Sequence, residues 1–496
     1  MGLPMDESLH GTAERLLEAA PTSVEMPAGA GKTHLLAAAV ATAAERGHRS
    51  IVLTHTNAGV DAIRRRLRRF GVHSAQARVE TITSWAFSLV GAYPTIAGVA
   101  VVGDPDWAMS DEYVRGATAV VASDAISDVH AVSFDYLFVD EYQDCTLLHH
   151  AFIEAIATAV PKTIILGDRL QAIFGFTGSL ADWDQHVLPN FPALVLEATP
   201  HRWLGHNEEL GQWLLDIRPS LVEGQVFDFG AHTVPGLTFV PDISPTAIAT
   251  AAYDFTDYDE TVVLLDKWPM GVADHASRLG GSYSVMEDIN GNFMREQISG
   301  SSNPRRPVLA LPVSGDPALA RWFAQYAKAC VIGLAGLNDV VLRRLSRNES
   351  LNGISRGGIQ SVVDALEALR LTPTYDQLAH TARAVREVKE LRVYRWEAWN
   401  DTLQAIAMSA ENGEPAIENF ARVRERLRRQ GRKAHSRVAS RTLLVKGLEY
   451  DHVVIANVGN FTDPRNLYVA LSRARKSVTV LGRSTQVPLV NDMPRL

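Results

Sequence analysis

Short apolar runs alternate with amphipathic segments along the first part of the chain. Residues 50–54 and 134–139 have the length and composition of buried β-strands. Between them, apolar residues recur at helical spacing over residues 57–70. A strand, a turn and a helix in this order form the repeating unit of a parallel sheet covered by helices. The pattern therefore predicts an α/β fold.

The same pattern continues towards the end of the chain. Further strands are predicted at residues 79–83, 163–166, 194–196, 260–266, 452–458 and 478–481, and further helices at residues 35–44 and 466–474. Residues 280–307 are rich in Gly, Ser and Asn and are expected to form a loop. Residues 312–432 carry Leu, Val and Ala at helical spacing. We therefore expect two strand-rich regions, the second interrupted by helices.

A run of small residues stands where the first predicted helix begins. Six residues form this candidate phosphate loop: Ala28, Gly29, Ala30, Gly31, Lys32 and Thr33. In such a loop, backbone N–H groups surround the phosphates, the lysine reaches the outer ones and the threonine hydroxyl binds Mg²⁺. Met26 replaces the first glycine of the usual pattern, so an ordinary strand-to-helix turn is the alternative.

Two adjacent carboxylates follow the predicted strand at residues 134–139. Asp140 can hold a metal ion, and Glu141 can polarise the water that attacks a phosphate. A solvated loop could also carry two acids, but the Lys32 loop upstream makes a joint site for ATP and Mg²⁺ the stronger interpretation. The two segments together predict an ATP-hydrolysing enzyme.

Three later segments add candidate residues. Gln171 lies just after the predicted strand at residues 163–166, where a carboxamide can sense the terminal phosphate. Phe174 and Phe176 follow it and could either pack in a core or stack on bases. Arg473, near the end of the helix predicted at 466–474, could offset charge on the transferring phosphoryl group, or it could simply cap that helix.

Two runs of basic residues are candidate nucleic-acid surfaces. One lies at residues 64–69 and the other at residues 422–433. For both runs, a solvated helix surface is the alternative to contact with a phosphate backbone.

Composition limits these interpretations. A chain of 496 residues with 46% hydrophobic content is expected to form three or four domains. A formal net charge of −8 argues against a basic coat over the whole surface, so nucleic acid would have to bind locally. The two cysteines are too few for a disulfide framework and fit a reducing, cytoplasmic setting. We see no signal peptide and no apolar run that would span a membrane.

The motifs, in this order, resemble the UvrD/Rep-type superfamily 1 helicases. The segments that carry the resemblance are residues 31–33, 54–58, 81–85, 140–144, 167–171, 196–202 and 468–474. The resemblance implies that Gln171 senses the γ-phosphate and that Arg202 and Arg473 contact it. It also implies nucleic-acid contacts by Thr56, Asn57, Thr83, Trp85, Phe174 and Phe176.

The nucleotide contacts depart from this family at several positions. His34 and His201 stand where the family commonly has the arginine and the tyrosine that flank the adenine. No glutamine precedes Lys32 to read the adenine. Glu449, in the segment 446–450, is a further predicted nucleotide contact.

The resemblance also implies a domain plan of two RecA-like parallel-sheet domains. The first would comprise residues 1–85 and 134–200, with a short insertion at 86–133. The second would comprise residues 201–311 and 433–496, with a helical insertion at 312–432. ATP is expected between these two domains.

The implied activity is that of an ATP-dependent motor on single-stranded nucleic acid. DNA is the expected track, with movement from 3′ to 5′, in DNA repair or phage defence. The alternative is a nucleic-acid-sensing ATPase subunit that controls a partner nuclease with little or no unwinding. Small helicase-like subunits of phage-defence systems such as Gabija are similar in size and layout. A metabolic kinase is disfavoured because no acceptor-binding domain is recognisable.

Overall fold

The computed structural model describes residues 6–100, 106, 109–174, 178–223, 225–301, 307–430 and 435–490. The helices are α1 Glu7–Glu18, α2 Lys32–Glu45, α3 Asn57–Arg69, α4 Ile82–Ala92, α5 Pro94–Ala97, α6 Ser110–Val121, α7 Asp124–Ser133, α8 Leu147–Ala159, α9 Glu208–Asp216, α10 Arg218–Glu223, α11 Pro245–Tyr253, α12 Pro269–Arg278, α13 Asn292–Ser299, α14 Leu319–Cys330, α15 Asp339–Ser346, α16 Gln360–Leu371, α17 Tyr375–Glu387, α18 Trp396–Asn412, α19 Ala416–Gln430, α20 Thr442–Val445 and α21 Pro464–Leu471. The strands are β1 Thr22–Glu25, β2 Ser50–Thr54, β3 Ala77–Thr81, β4 Tyr136–Val139, β5 Lys162–Gly167, β6 Val226–Asp228, β7 Leu237–Val240, β8 Val262–Leu265, β9 Ser284–Val285, β10 Val331–Ile332, β11 Arg392–Val393, β12 Arg437–Ser440, β13 Tyr450–Ile455, β14 Ala474–Leu481 and β15 Gln486–Pro488.

The first of two compact units comprises residues 1–237, 461–477 and 486–496. Its central sheet has the strand order β1-β5-β4-β2-β3, and every pair in it is parallel. The carboxyl ends of parallel strands meet at one edge of a sheet. The residues that follow β1, β4 and β5 therefore lie side by side at this edge.

Helices cover both faces of this sheet because its strands are apolar on both sides. Strand residues such as Val52 and Phe138 pack against α1, α2 and α3 on one face. The neighbouring residues Ile51 and Leu137 point to the other face, where they pack against α4, α6 and α8. The helices of the predicted short insertion thus complete one of the two cores.

The second unit comprises residues 238–460 and 478–485. Its sheet has the order β7-β14-β13-β8-β12-β9, and β13, β8, β12 and β9 run parallel. Helices α13 to α19 share a core of their own. In that core the rings of Trp322, Tyr326 and Trp399 stack at centroid distances of 5.0 and 5.9 Å. The predicted α/β class with two parallel-sheet domains is confirmed.

Some of the sequence predictions differ from this fold. Residues 194–196 do not form a strand: the segment pairs with β1 only around an isolated bridge between Ser23 and Ala193. Residues 280–307 are not simply a loop, since they contain β9 and α13, and Met294 and Ile298 of α13 are buried. The chain divides into two compact units rather than three or four. Residues 201–237 lie in the first of them, whereas the motif-based domain plan assigns them to the second domain. Within the described ranges, no helix is long and apolar enough to cross a bilayer.

Arg424, in the basic run at residues 422–433, faces inward. Arg424 is 2% exposed, and its Nη1 lies 2.7 Å from Oδ2 of Asp401 and 3.6 Å from a carboxylate oxygen of Glu397. Its Nη2 donates to the carbonyl oxygen of Asp288 at 2.6 Å. Arg424 therefore belongs to a buried ion network within the second unit, whereas Arg422 on the same helix is exposed.

We expect Arg424→Ala to lower the free energy of unfolding by about 3 kcal/mol, because the Asp401 and Glu397 carboxylates would lose a buried counter-charge. Chemical denaturation of the purified chain measures this effect. Arg422→Ala is the matched control, and loss of its solvent-exposed ion pair with Glu414 should change the free energy of unfolding far less than Arg424→Ala does. Equal effects of the two variants would contradict this assignment.

Candidate nucleotide-binding site

The candidate phosphate loop connects β1 to α2 at the carboxyl edge of the first sheet. Gly29 and Gly31 have φ angles of +72° and +85°, which side-chain-bearing residues rarely adopt. Gly31 is the N-cap of α2, and its carbonyl oxygen accepts hydrogen bonds from the N–H groups of His34 and Leu35 at 2.9 Å. The first N–H groups of a helix have no partner within it. The loop therefore leads into a helix end suited to binding an anion.

Lys32 and Thr33 open this helix and face the acids that follow β4. Lys32 is 7% exposed, and its Nζ donates to the carbonyl oxygen of Met26 at 3.1 Å. Thr33 Oγ1 donates to Oδ2 of Asp140 at 3.1 Å. Burial and the neighbouring Glu141 carboxylate raise the pKa of Asp140 to about 6, although Lys32 opposes this shift. The hydroxyl and the carboxylate predicted to bind metal are therefore adjacent.

These ligands fit Mg²⁺. Hydroxyl and carboxylate oxygens are the donors that this ion prefers. The raised pKa of Asp140 indicates a buried carboxylate whose negative charge the protein compensates only in part. Mg²⁺ commonly takes one or two protein ligands together with substrate phosphates and water. Among the described residues, no cluster of three or more His, Cys, Asp or Glu forms a separate metal site.

Glu141 has an unusual backbone conformation. Its φ and ψ angles are 56° and 39°, in the left-handed region that non-glycine residues enter rarely and often at functional sites. Gln143 donates from Nε2 to a carboxylate oxygen of Glu141. The Oε1 of Gln143 accepts from the backbone N–H of Asp168 at 3.0 Å. Gln143 thus ties the predicted catalytic carboxylate to the segment that follows β5.

That segment brings Gln171 to Arg473. The Nε2 of Gln171 donates to Oδ2 of Asp168 at 2.9 Å, which leaves its Oε1 to accept from Nη2 of Arg473 at 3.3 Å. Arg473 is 1% exposed and also donates from Nε to the carbonyl oxygen of Val469 at 2.9 Å. This hydrogen bond within the first unit therefore joins the predicted phosphate sensor, Gln171, to the arginine predicted to contact the γ-phosphate, Arg473.

Arg202 approaches the loop from another segment. Its backbone N–H donates to the carbonyl oxygen of Gly29 at 3.2 Å, and its Nη1 donates to the carbonyl oxygen of Ser472. A Cβ on Gly29 would lie 2.8 Å from Cβ of Arg202 and 2.6 Å from the Trp203 ring. Close packing against these two residues explains why glycine is required at position 29.

Residues 12–177 match the family model of an AAA domain. The matched range contains the phosphate loop, Asp140, Glu141 and Gln171, and it covers about a third of the chain. Arg202 and Arg473 lie outside the AAA domain match. In the structure they nevertheless contact residues of the matched range.

Among solved structures, the chain is similar to the Pif1 helicase from Candida albicans. The alignment covers 97% of this chain and 95% of the solved one, at 12% identity and a TM-score of 0.39. A TM-score of this size does not establish a shared fold. No curated protein gives a significant match.

Two histidines flank the candidate phosphate loop. His34 lies in the first turn of α2, and its ring centroid is 5.5 Å from that of Phe70. Cδ2 of His201 would lie 3.2 Å from a Cβ placed on Gly31. Burial lowers the pKa of His34, and the charges of Arg66, His201 and Arg69 lower it further, so a neutral ring is favoured. Glu449 is exposed and belongs to the second unit.

Most of the predicted nucleic-acid contacts follow strands at the same edge of the first sheet. Thr56 caps α3 by accepting from the N–H of Gly59 at 3.0 Å, and Asn57 beside it is exposed. Thr83 lies in the first turn of α4, after β3, and Phe174, after β5, is half-buried. Phe176 lies outside the described residues.

Trp85 differs from these residues. It is 6% exposed, and the guanidinium carbon of Arg78 lies 4.3 Å from its ring centroid. His130 and Phe134 pack against the ring at 5.8 and 6.2 Å. With the ring enclosed in this way, the structure gives no support to base stacking by Trp85.

Sequence reasoning missed two residues that contact the site. Arg218, the first residue of α10, forms an ion pair with Asp168, and Tyr468 accepts at its hydroxyl from the N–H of Ala28 at 3.2 Å. Tyr468 belongs to the motif at 468–474, which could have drawn attention to it. Arg218 stands alone in a short helix, and no pattern along the chain marks it.

Proposed function

We propose that this protein is an ATP-dependent translocase or helicase on single-stranded nucleic acid, with DNA as the expected track and 3′ to 5′ as the expected direction. The contact between Gln171 and Arg473, in the same unit as the loop of Lys32 and the Asp140 carboxylate, carries the proposal. It joins a candidate sensor of the γ-phosphate to a buried arginine that can offset charge on the transferring phosphoryl group.

The proposed hydrolysis assigns one role to each residue. Lys32 and the loop N–H groups bind the phosphates, and Thr33 and Asp140 would hold Mg²⁺, which neutralises charge on them. Glu141, oriented by Gln143, accepts a proton from the attacking water. Gln171, Arg202 and Arg473 contact the γ-phosphate as it is transferred. These roles follow from the resemblance and agree with the contacts within the first unit.

The proposed binding of nucleic acid rests on the resemblance of the motifs and on the position of the candidate residues at the carboxyl edge of the first sheet. Thr56 and Asn57 follow β2 and Thr83 follows the neighbouring strand β3, whereas Phe174 follows β5 on the far side of β4. A nucleic-acid strand laid along this edge of the sheet could contact all four residues. Phe174 would stack on a base, and the threonines and the asparagine would contact the backbone. Repair and phage defence are the pathways that the resemblance suggests.

The test measures ATP turnover by the wild type and by Lys32→Ala, with and without single-stranded DNA and RNA. We expect stimulation of the wild type by DNA and no turnover by the variant. Phe174→Ala should weaken binding of single-stranded DNA by about 1–3 kcal/mol, roughly 5- to 150-fold. Tyr258→Ala, which removes an aromatic side chain that is 83% exposed and has no predicted role, is the control.

Turnover that neither polymer changes would refute the proposal. Duplexes with 3′ or 5′ single-stranded tails then test unwinding and its direction. Stimulated turnover without unwinding of either duplex would favour the alternative, a regulatory ATPase subunit that controls a partner nuclease.

A further inference from the structure

Arg218 forms a bidentate ion pair with the fully buried carboxylate of Asp168. Its Nη1 and Nη2 donate to the two carboxylate oxygens of Asp168 at 3.1 and 2.9 Å. Asp168 is 0% exposed, and Nη2 of Arg218 also donates to Glu25 at 3.1 Å. Burial alone would raise the pKa of Asp168, but the charges of Arg218 and Lys32 outweigh it, and the pKa lies below its usual value. Asp168 is therefore held as a carboxylate.

This carboxylate fixes the orientation of Gln171. Oδ2 of Asp168 accepts from Nη1 of Arg218 and from Nε2 of Gln171. Because the amide nitrogen of Gln171 is engaged there, its oxygen faces Nη2 of Arg473. A continuous path of hydrogen bonds thus runs from Arg218 through Asp168 and Gln171 to Arg473.

A second path leads from Arg218 to the phosphate loop. The guanidinium carbon lies 5.1 Å from the ring centroid of Tyr468, within the range of a cation–π contact. Tyr468 is 0% exposed, and its hydroxyl accepts from the N–H of Ala28. Arg218 therefore touches both the residue that orients Gln171 and the residue that contacts the loop.

We propose that Arg218 is a positioning residue for ATP hydrolysis. Through Asp168 it fixes the orientation of Gln171 and Arg473, and through Tyr468 it fixes their position relative to the candidate phosphate loop. The inference rests on the proposed function, because it assigns Gln171 and Arg473 to the γ-phosphate. Arginine suits this role better than lysine, because a planar guanidinium can donate to both carboxylate oxygens and at the same time stack on an aromatic ring.

The test is a double-mutant cycle between Arg218→Lys and Gln171→Ala. Arg218→Ala would leave the Asp168 charge buried without its partner and would destabilise the fold, so lysine is the better substitution. We expect Arg218→Lys to lower kcat by about 10- to 100-fold with little change in KM, because small displacements of catalytic groups have effects of this size. In the Gln171→Ala background, the same substitution should lower kcat by less than about fivefold, because only the path through Tyr468 remains.

Arg465→Lys is the matched control. Arg465 lies on α21 near Tyr468 and pairs with Asp463 at 3.1 Å, outside both paths, so kcat should stay within about twofold of the wild type. The cycle is measured on turnover without nucleic acid and on the affinity for a fluorescent, non-hydrolysable ATP analogue. Melting temperatures of all variants separate a change in kcat from loss of stability.

Additive effects of the two substitutions on kcat would overturn the inference, because a merely structural arginine would act independently of Gln171. Turnover that is unaffected by DNA and RNA would overturn the proposed function but leave the coupling between Arg218 and Gln171 in place. The two failures are thus distinguishable.

Discussion

Arg473→Ala should lower kcat for ATP by about a thousandfold, the smallest loss typical of removing an arginine that stabilises phosphoryl transfer. Arg473 is almost fully buried and contacts Gln171, so bulk solvent cannot replace the charge that the substitution removes. The affinity for a non-hydrolysable ATP analogue should change much less than kcat, because the charge that Arg473 offsets develops mainly during transfer. Steady-state turnover and equilibrium binding measure the two quantities.

Two variants make this result specific. Arg473→Lys keeps the positive charge but loses the guanidinium geometry that serves Val469 and Gln171, and we expect it to remain impaired. Arg475→Ala removes a half-buried arginine two residues further along, and it should stay within about twofold of the wild type. Full activity of Arg473→Ala would show that Arg473 only caps the end of α21.

The second large effect is expected for Glu141→Gln. This substitution keeps the shape of the side chain and its contact with Gln143 but removes the group that can accept a proton from water. We expect kcat to fall by about 10²- to 10⁴-fold, the range for loss of a general base. ATP should still bind, since Lys32 and the loop are unchanged.

A filter-binding assay with labelled ATP, run beside the turnover assay, separates binding from hydrolysis. Glu209→Gln is the control: it makes the same change from carboxylate to carboxamide at an exposed position of α9, and it should leave both binding and hydrolysis unchanged. If Glu141→Gln hydrolyses ATP at a rate near that of the wild type, another group must activate the water.

The predicted site residues that the structure brings together lie in short segments directly after strands. Lys32, Thr33, Asp140 and Glu141 each belong to a local pattern, and parallel strand ends meet at one edge whatever the rest of the chain does. The α/β class could be predicted for the same reason, because apolar strands and amphipathic helices leave periodic signals.

The remaining features depend on contacts between distant segments. Trp85 was expected at a nucleic-acid surface, yet Arg78, His130 and Phe134 enclose its ring. Arg424 lies in a run that resembles a solvated surface, yet it pairs with carboxylates of α18. Local composition cannot distinguish an inward arginine from an outward one, since both have the same neighbours in sequence.

The left-handed backbone conformation of Glu141 lowers the stability of the fold, although the proposed ATPase activity needs its carboxylate. For a residue with a Cβ, a positive φ raises the conformational free energy by about 1 kcal/mol or more, whereas glycine adopts this conformation freely. A glycine at position 141 would thus relieve strain in the folded chain and remove the carboxylate in the same step. Given the role proposed for Glu141, a search for thermostable variants would tend to select protein without ATPase activity at this position.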